Sequence, residues 1–271
     1  EERHARLAQE VQRWCAEHGE LLHSADRNFA DKCRRIVASL ATAGLLEHVL
    51  PACADDNPRF DQRAICIVRE ALAYESNLAA SLFATQGIGL SPLSLSNHPL
   101  RERYIDRARC GDAICAIAIS ELHGASDVAS VETTAARHAG GYRLNGEKAW
   151  IQNGHFADHY LVLACSAEPG EPRSISAFVV DSDLPGIRID REIPMIDGCP
   201  LSTVVFEDVF VPDSHRVGGE GDGMRMAMAG FDVFRPSVGA AAIGLAKRTF
   251  AESVARVTSR DLFGTGMANL D

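Results

Sequence analysis

A chain of 271 residues can bury a sizeable core without disulfides or metals, and a formal net charge of -10 gives no electrostatic reason to bind nucleic acid or an anionic membrane. Eight cysteines lie scattered, mostly in apolar runs, with no CxxC pair, which fits free thiols in a reducing compartment better than a disulfide framework or a zinc site. No signal peptide and no apolar run of about 18 residues is visible, so a cytoplasmic protein is expected.

From residue 1 to about 110 the pattern is helical. EERHARLAQEVQRWCAEHG and DQRAICIVREALAYESNLAASLFA carry apolar residues at three-to-four spacing. Breakers at Gly44 to Pro58 and Ser91 to Pro99 divide the run, and LSNHPLRERYIDRA starts a further short helix with Pro99 near its first turn. From about Ala113 to Val217 the period shortens. AICAIAIS, GYRLNG, KAWIQNG, HYLVLACS, SISAFVVD, GIRIDREI and LSTVVFEDVFVP are short, rich in β-branched and aromatic residues, and separated by turn residues. With no long helix between them, they predict antiparallel strands closed into a barrel or sandwich, with a turn at Asn145-Gly146. Helix returns over roughly Gly223 to Arg260, where Pro236 is expected to kink or divide it. The start inside a helical pattern without methionine, and the end one long helix into a new lobe, predict a longer parent protein.

Several motifs fail on inspection. VGGEGDG precedes a helix but lacks the GxGxxG spacing and reads as a turn. HFADH lacks the HExxH order, no GxSxG elbow occurs, and Glu207-Asp208 reads as a solvated strand end. Trp150 stays open between strand core and the wall of a site. Composition and spacing stop at an acidic helix-β-helix protein and name no reaction.

Five linked segments go further. ISELHGASDVASVETTAAR, YRLNGEKAWIQNG, STVVFEDVFVP followed by GGEGDGM, FDVFRPSVGAAAIGLAKRTFAES and SRDLFG occur in an order and spacing that resemble the acyl-CoA dehydrogenase family of flavoproteins. The resemblance covers essentially the whole chain. It implies an α+β multidomain fold: a helical N-terminal domain over 1–111, a central antiparallel β-barrel domain over 112–217, and the start of a C-terminal helical bundle over 218–271. It further implies FAD as cofactor, a homodimer or homotetramer, an acyl-CoA or acyl-carrier-protein thioester as substrate, and electron-transfer flavoprotein or another acceptor as redox partner. The other reading is a flavin-binding or structural homologue without dehydrogenase activity, acting as an interaction protein.

Carried over by position, Ile117, Ile119 and Ser120 match the strand whose backbone and hydroxyl meet the flavin pyrimidine edge, with serine where the family has threonine. Leu122 and His123 depart from the family's Pro-Gly turn. Ser126 matches the serine near the phosphopantetheine arm, or simply caps its turn. Trp150 matches the tryptophan packed against the isoalloxazine. Gln152 stands where the family has a threonine or serine hydroxyl near flavin N5. Asp232 and Arg235 resemble the pair that engages the pantetheine arm and CoA end, or form an ordinary i,i+3 ion pair. Arg260 and Phe263 match residues that reach the FAD pyrophosphate and adenosine of the neighbouring subunit. The implied chemistry removes the α proton by a carboxylate and the β hydrogen as hydride to the flavin. The base is expected as a glutamate beyond Asp271, because the alternative position holds Phe234.

Overall fold

A computed structural model describes residues 1–25, 28–52, 59–124, 127–167, 174–195 and 200–269. Within them, α1 Glu2–Glu17, α2 Gly19–His23, α3 Phe29–Thr42, α4 Gln62–Glu75, α5 Asn77–Ser94 and α6 Arg101–Arg109 precede the sheet. Three of these helices start on a side-chain cap: Asn28, Asp61 and Ser76 accept from the N–H groups of Asp31, Ala64 and Ala79, which have no partner inside their helices. Helix α5 is buried on nearly every side. It also runs through Ser91 and Pro92, where the sequence predicts a breaker. Proline offers no N–H to the carbonyl of Ile88, and Ser91 Oγ donates to that oxygen instead at 2.8 Å. The next helix starts at Arg101, leaving Pro99 just outside it.

The strands β1 Cys115–Ala118, β2 Thr134–His138, β3 Gly141–Gln152, β4 His159–Cys165, β5 Ile175–Asp181, β6 Ile187–Ile193, β7 Leu201–Pro212 and β8 Arg216–Val217 form one sheet. Its order is β6-β7-β3-β2-β4-β5-β8, with β1 beside β4. The expected antiparallel barrel is corrected on two counts. Strands β1 and β2 run parallel to β4, and among the described residues the end strands β6 and β8 do not pair, so the barrel is not closed. β8 has only two residues to offer, and β6 exposes Arg188, Asp190, Arg191 and Glu192, charges that keep an edge from pairing. The sheet still curls, because Tyr142, Tyr160, Val162, Phe178, Val204 and Phe206 converge on one inner cluster. Alternate residues Leu161, Leu163 and Val179 pack into the helical core, so β4 and β5 are buried on both faces.

Asn145-Gly146 is not the expected turn, since β3 runs straight through it. Leu144 faces Val209 and Gly146 faces Phe206, so β7 carries the extra residue of a bulge. Asp208 takes φ 53° there and its N–H donates to Asn145 Oδ1 at 2.9 Å. Glycine is needed at 146 for close approach: a Cβ would lie 2.7 Å from Thr133 Cα.

Helix α7, Gly223–Ser259, is continuous over 37 residues, about 55 Å at 1.5 Å per residue. The division expected at Pro236 does not occur. The proline frees the Asp232 carbonyl one turn back, and Gln62 Nε2 of α4 donates to it at 3.1 Å. Buried positions from Gly223 to Gly244 follow the helical period, and Lys247 and Arg248 pair with Glu70 and Glu75 of α4. Past Gly244 the helix buries nothing, and Ile243, Phe250 and Val254 form an exposed apolar line. It ends in a hairpin, β9 Asp261–Leu262 and β10 Thr265–Gly266, whose turn residues Phe263 and Gly264 have φ 55° and 84°, as a two-residue turn of this hand requires.

Gly244 and Gly239 separate close packing from helix propensity. A Cβ at Gly244 would sit 2.2 Å from the Glu70 carbonyl, whereas Gly239 has nothing within 4 Å. Gly244→Ala should lower stability by about 1–3 kcal/mol, and Gly239→Ala should raise it by about 0.5–1 kcal/mol. Thermal unfolding checks both, and shifts of the same sign would refute the close α4–α7 approach.

Candidate active site

The site is built where β3 loses its regular register. Lys148 faces Val204 and Ile151 faces Ser202, so β3 carries one residue more than β7 between these pairs. The bulge turns Trp150 outward between buried Ala149 and Ile151: it is 38% exposed and sits at φ 56°. Asn153, three residues on, has φ 62°, is fully buried, and donates from Nδ2 to the Cys115 carbonyl at 3.3 Å. Each such backbone costs about 1–3 kcal/mol and persists only where the surroundings impose it. Trp150 is thus not the core residue that strand propensity alone suggests.

What imposes it is the segment Ile119-Ser120-Glu121. The N–H of Ala149 donates to the Ser120 carbonyl at 2.9 Å, and Lys148 Nζ donates to the Ile119 carbonyl at 3.1 Å and to Glu121 Oε1 at 2.7 Å. The ion pair is sealed, with side-chain exposures of 0% for Lys148 and 8% for Glu121. The carboxylate also accepts from the N–H of Glu132 at 2.6 Å, the N–H of Thr133 at 3.0 Å and Thr133 Oγ1 at 2.6 Å. Burial pushes the Glu121 carboxyl up, but these bonds outweigh it and hold it below the usual range. Burial pulls the Lys148 ammonium down, against the pull of Glu121.

Ile119, Ser120 and Trp150 are therefore brought to one rim. Ile117 lies two residues before Ile119 on β1, with its N–H and C=O on the same strand edge as those of Cys115. The carbonyl of Ile119 accepts from Lys148 Nζ. Ser126 lies outside the described residues. Leu122 is 58% exposed.

Helix α5 forms the other wall. Gln86 joins it to β1, donating to the Ala113 carbonyl at 2.7 Å and accepting from the Cys115 N–H at 2.9 Å. Next to it, Thr85 Oγ1 donates to Gln152 Oε1 at 3.2 Å. Gln152 is half-buried, two residues beyond Trp150.

The remaining candidates stand apart from this rim. Arg235 donates to Asp232 Oδ1 at 2.7 Å, with both side chains exposed, so the i,i+3 ion pair is present. Phe234 between them is 1% exposed and packs edge-on against Phe60 at 5.7 Å, which makes it core. Arg260 and Phe263 lie on the hairpin at the end of α7, where Phe263 is 96% exposed. His159 is a core residue packed on Tyr104 at 5.0 Å, its imidazole pushed down to about 4 by burial, and no three metal-ligating side chains cluster among the described residues. A cavity of about 510 Å³ among α1, α4 and α7 contains none of these candidates.

The residues that sequence reading missed are Glu121, Lys148 and Thr85. Lys148 left a faint signal, as one of three lysines among 27 basic residues. Lys148→Met should cost about 3–5 kcal/mol, because Glu121 is left charged and buried, and Lys148→Met with Glu121→Gln should recover part of it. A carboxylate favoured in the fold contributes fully above about pH 4.3 and loses that contribution as pH falls through its depressed folded value. Urea unfolding from pH 7 to 3 should therefore show a shallower acid-side loss in the double variant. Equal losses in single and double variants would exclude the pair as the clasp.

The family model described as acyl-CoA dehydrogenase, middle domain, matches residues 116–209, and that described as acyl-CoA dehydrogenase, C-terminal domain, matches residues 221–270. An acyl-CoA dehydrogenase of Bacillus subtilis (strain 168) is 31% identical over 207 residues, 75% of this chain and 55% of the relative. Benzylmalonyl-CoA dehydrogenase of Aromatoleum aromaticum is 36% identical over 204 residues, 73% of this chain and 53% of the relative. The chain thus spans about half the length of these curated relatives. An acyl-CoA dehydrogenase from Bacillus anthracis, solved in complex with FAD, superposes with a TM-score of 0.86 at 26% identity, over 100% of this chain and 47% of that one. With the two family models together matching more than half of the 271 residues, the chain belongs to the acyl-CoA dehydrogenase family.

Proposed function

We propose that this chain is the FAD-binding part of an oxidoreductase that removes one hydrogen from each of the α and β carbons of an acyl thioester, presented on CoA or on an acyl-carrier protein. The observation that carries the reading is Trp150, turned outward on a strained bulge beside the clamped Ile119-Ser120 segment. The donor set suits a flavin: a flat aromatic wall, backbone groups of Ile117 and Ile119, the Ser120 hydroxyl and the Gln152 amide. When bound, FAD supplies the two-electron acceptor that no side chain provides.

Trp150 would cover the ring and exclude water from it. Ile117, Ile119 and Ser120 would hold its pyrimidine edge, and Gln152 would lie near N5. Ser126, Asp232 and Arg235 are assigned to the pantetheine arm. The Arg235 fork keeps further N–H donors beyond the one given to Asp232. Phe234 takes no proton, so the base is not at that position. Arg260 and Phe263 are assigned to the FAD of a neighbouring subunit, supported by the exposure of Phe263 and by the apolar line along α7, which fits a homodimer or homotetramer. Electron-transfer flavoprotein or another acceptor would reoxidise the enzyme in the cytoplasm.

The test is FAD uptake followed by a screen of acyl-CoA and acyl-carrier thioesters. Wild-type protein should be yellow, and a substrate should bleach its visible absorption. Trp150→Ala should bind FAD about tenfold more weakly, for a stacking loss of about 1.5 kcal/mol. A colourless protein that refuses added FAD would leave the non-catalytic interaction role.

A further inference from the structure

Thr85 and Gln152 belong to different layers and meet at one contact. The Thr85 hydroxyl lies 3.2 Å from Gln152 Oε1, and the same oxygen lies 2.8 Å from the Ser81 carbonyl one turn back on α5. Both neighbours are acceptors, and a hydroxyl has one proton to give. Donated to Gln152, that proton holds the amide by its carbonyl and leaves NH2 as the opposite end. Donated to Ser81, it leaves lone pairs facing Gln152 that its NH2 can fill, with the amide turned over and its carbonyl at the opposite end. Thr85 is 5% exposed, so the inner end of Gln152 is served by this hydroxyl away from bulk water.

We propose that Thr85 is a positioning residue that lets Gln152 present either a donor or an acceptor to flavin N5, matching the bound cofactor in both oxidation states. This rests on the reading of Trp150 and Gln152 as the flavin wall. Oxidised N5 carries a lone pair and no hydrogen; two electrons and one proton convert it to an N–H. The amide NH2 suits the first state and the amide carbonyl the second. A small hydroxyl at position 152 would donate or accept without moving. An amide has to turn over, and the hydroxyl of Thr85 satisfies it on both sides of that turn.

The experiment is a reductive titration of the FAD-loaded protein, with dithionite supplying the electrons and solvent the proton, reading the midpoint potential and visible spectrum. Thr85→Val should change the relative affinity for reduced and oxidised FAD about tenfold, a shift of about 30 mV in either direction for a two-electron couple. Thr85→Ser should keep the wild-type value. In a Gln152→Leu background, Thr85→Val should shift nothing, because the hydroxyl no longer has an amide to hold. Thr85→Ala removes the same hydroxyl without branching and repeats the test should the valine variant fail to take up FAD. A wild-type potential in Thr85→Val, or a shift that persists with Gln152→Leu, would overturn the inference alone. A wild-type protein that takes up no FAD would overturn the flavin reading and this inference together.

Discussion

An ammonium group sealed from water against a carboxylate decides the geometry of the candidate site. Lys148 has nowhere to put its charge except Glu121 and the Ile119 carbonyl, and Glu121 is met in turn by the returning chain at Glu132 and Thr133. Such a pair gives up much solvation, so its net contribution to stability is modest even though breaking it is costly. What it gains is registration. A slip of β3 by one residue would turn Lys148 to the other face and strand both charges. The bulge that turns out Trp150 lies immediately beyond this fixed point.

The second constraint comes from α5. A helix buried on nearly all sides has little water to meet the polar groups it carries. Gln86 is spent on both sides of the entry to β1, Ser91 serves the carbonyl that Pro92 abandons, and Thr85 faces Gln152. The helical layer therefore reaches the site through side-chain bonds as well as apolar packing. Any shift of α5 moves the tip of β3 and the start of β1 together.

Much of this was legible in the sequence. Helical spacing separated the first lobe, short β-branched runs marked the strands, and five motifs in order carried the family. What was not legible depended on partners distant along the chain. Asn145-Gly146 has the local chemistry of a turn, yet β7 pairs with β3 on both sides of it and pulls it into a strand. Pro236 has the local chemistry of a break, yet α4 supplies the missing donor. The open sheet follows from the brevity of β8 and the charges on β6, which no strand pattern weighs against each other. That Trp150 leaves the strand core was readable only through its motif, because the bulge that exposes it is set from β7 and from Glu121. Thr85 stands 67 residues from Gln152, and no local pattern joins them.

The hydrogen bond from Gln62 to the Asp232 carbonyl has a consequence beyond the shape of α7. A proline in a helix is usually a local matter, its cost borne by its own turn. Here the donor comes from another helix, so Pro236 and Gln62 form one structural unit although they lie far apart in the chain. Substituting the proline alone restores an amide that shares the oxygen with Gln62, and substituting the glutamine alone leaves that exposed oxygen to water. The bond ties α4 to α7 at the one turn of the long helix that cannot close itself.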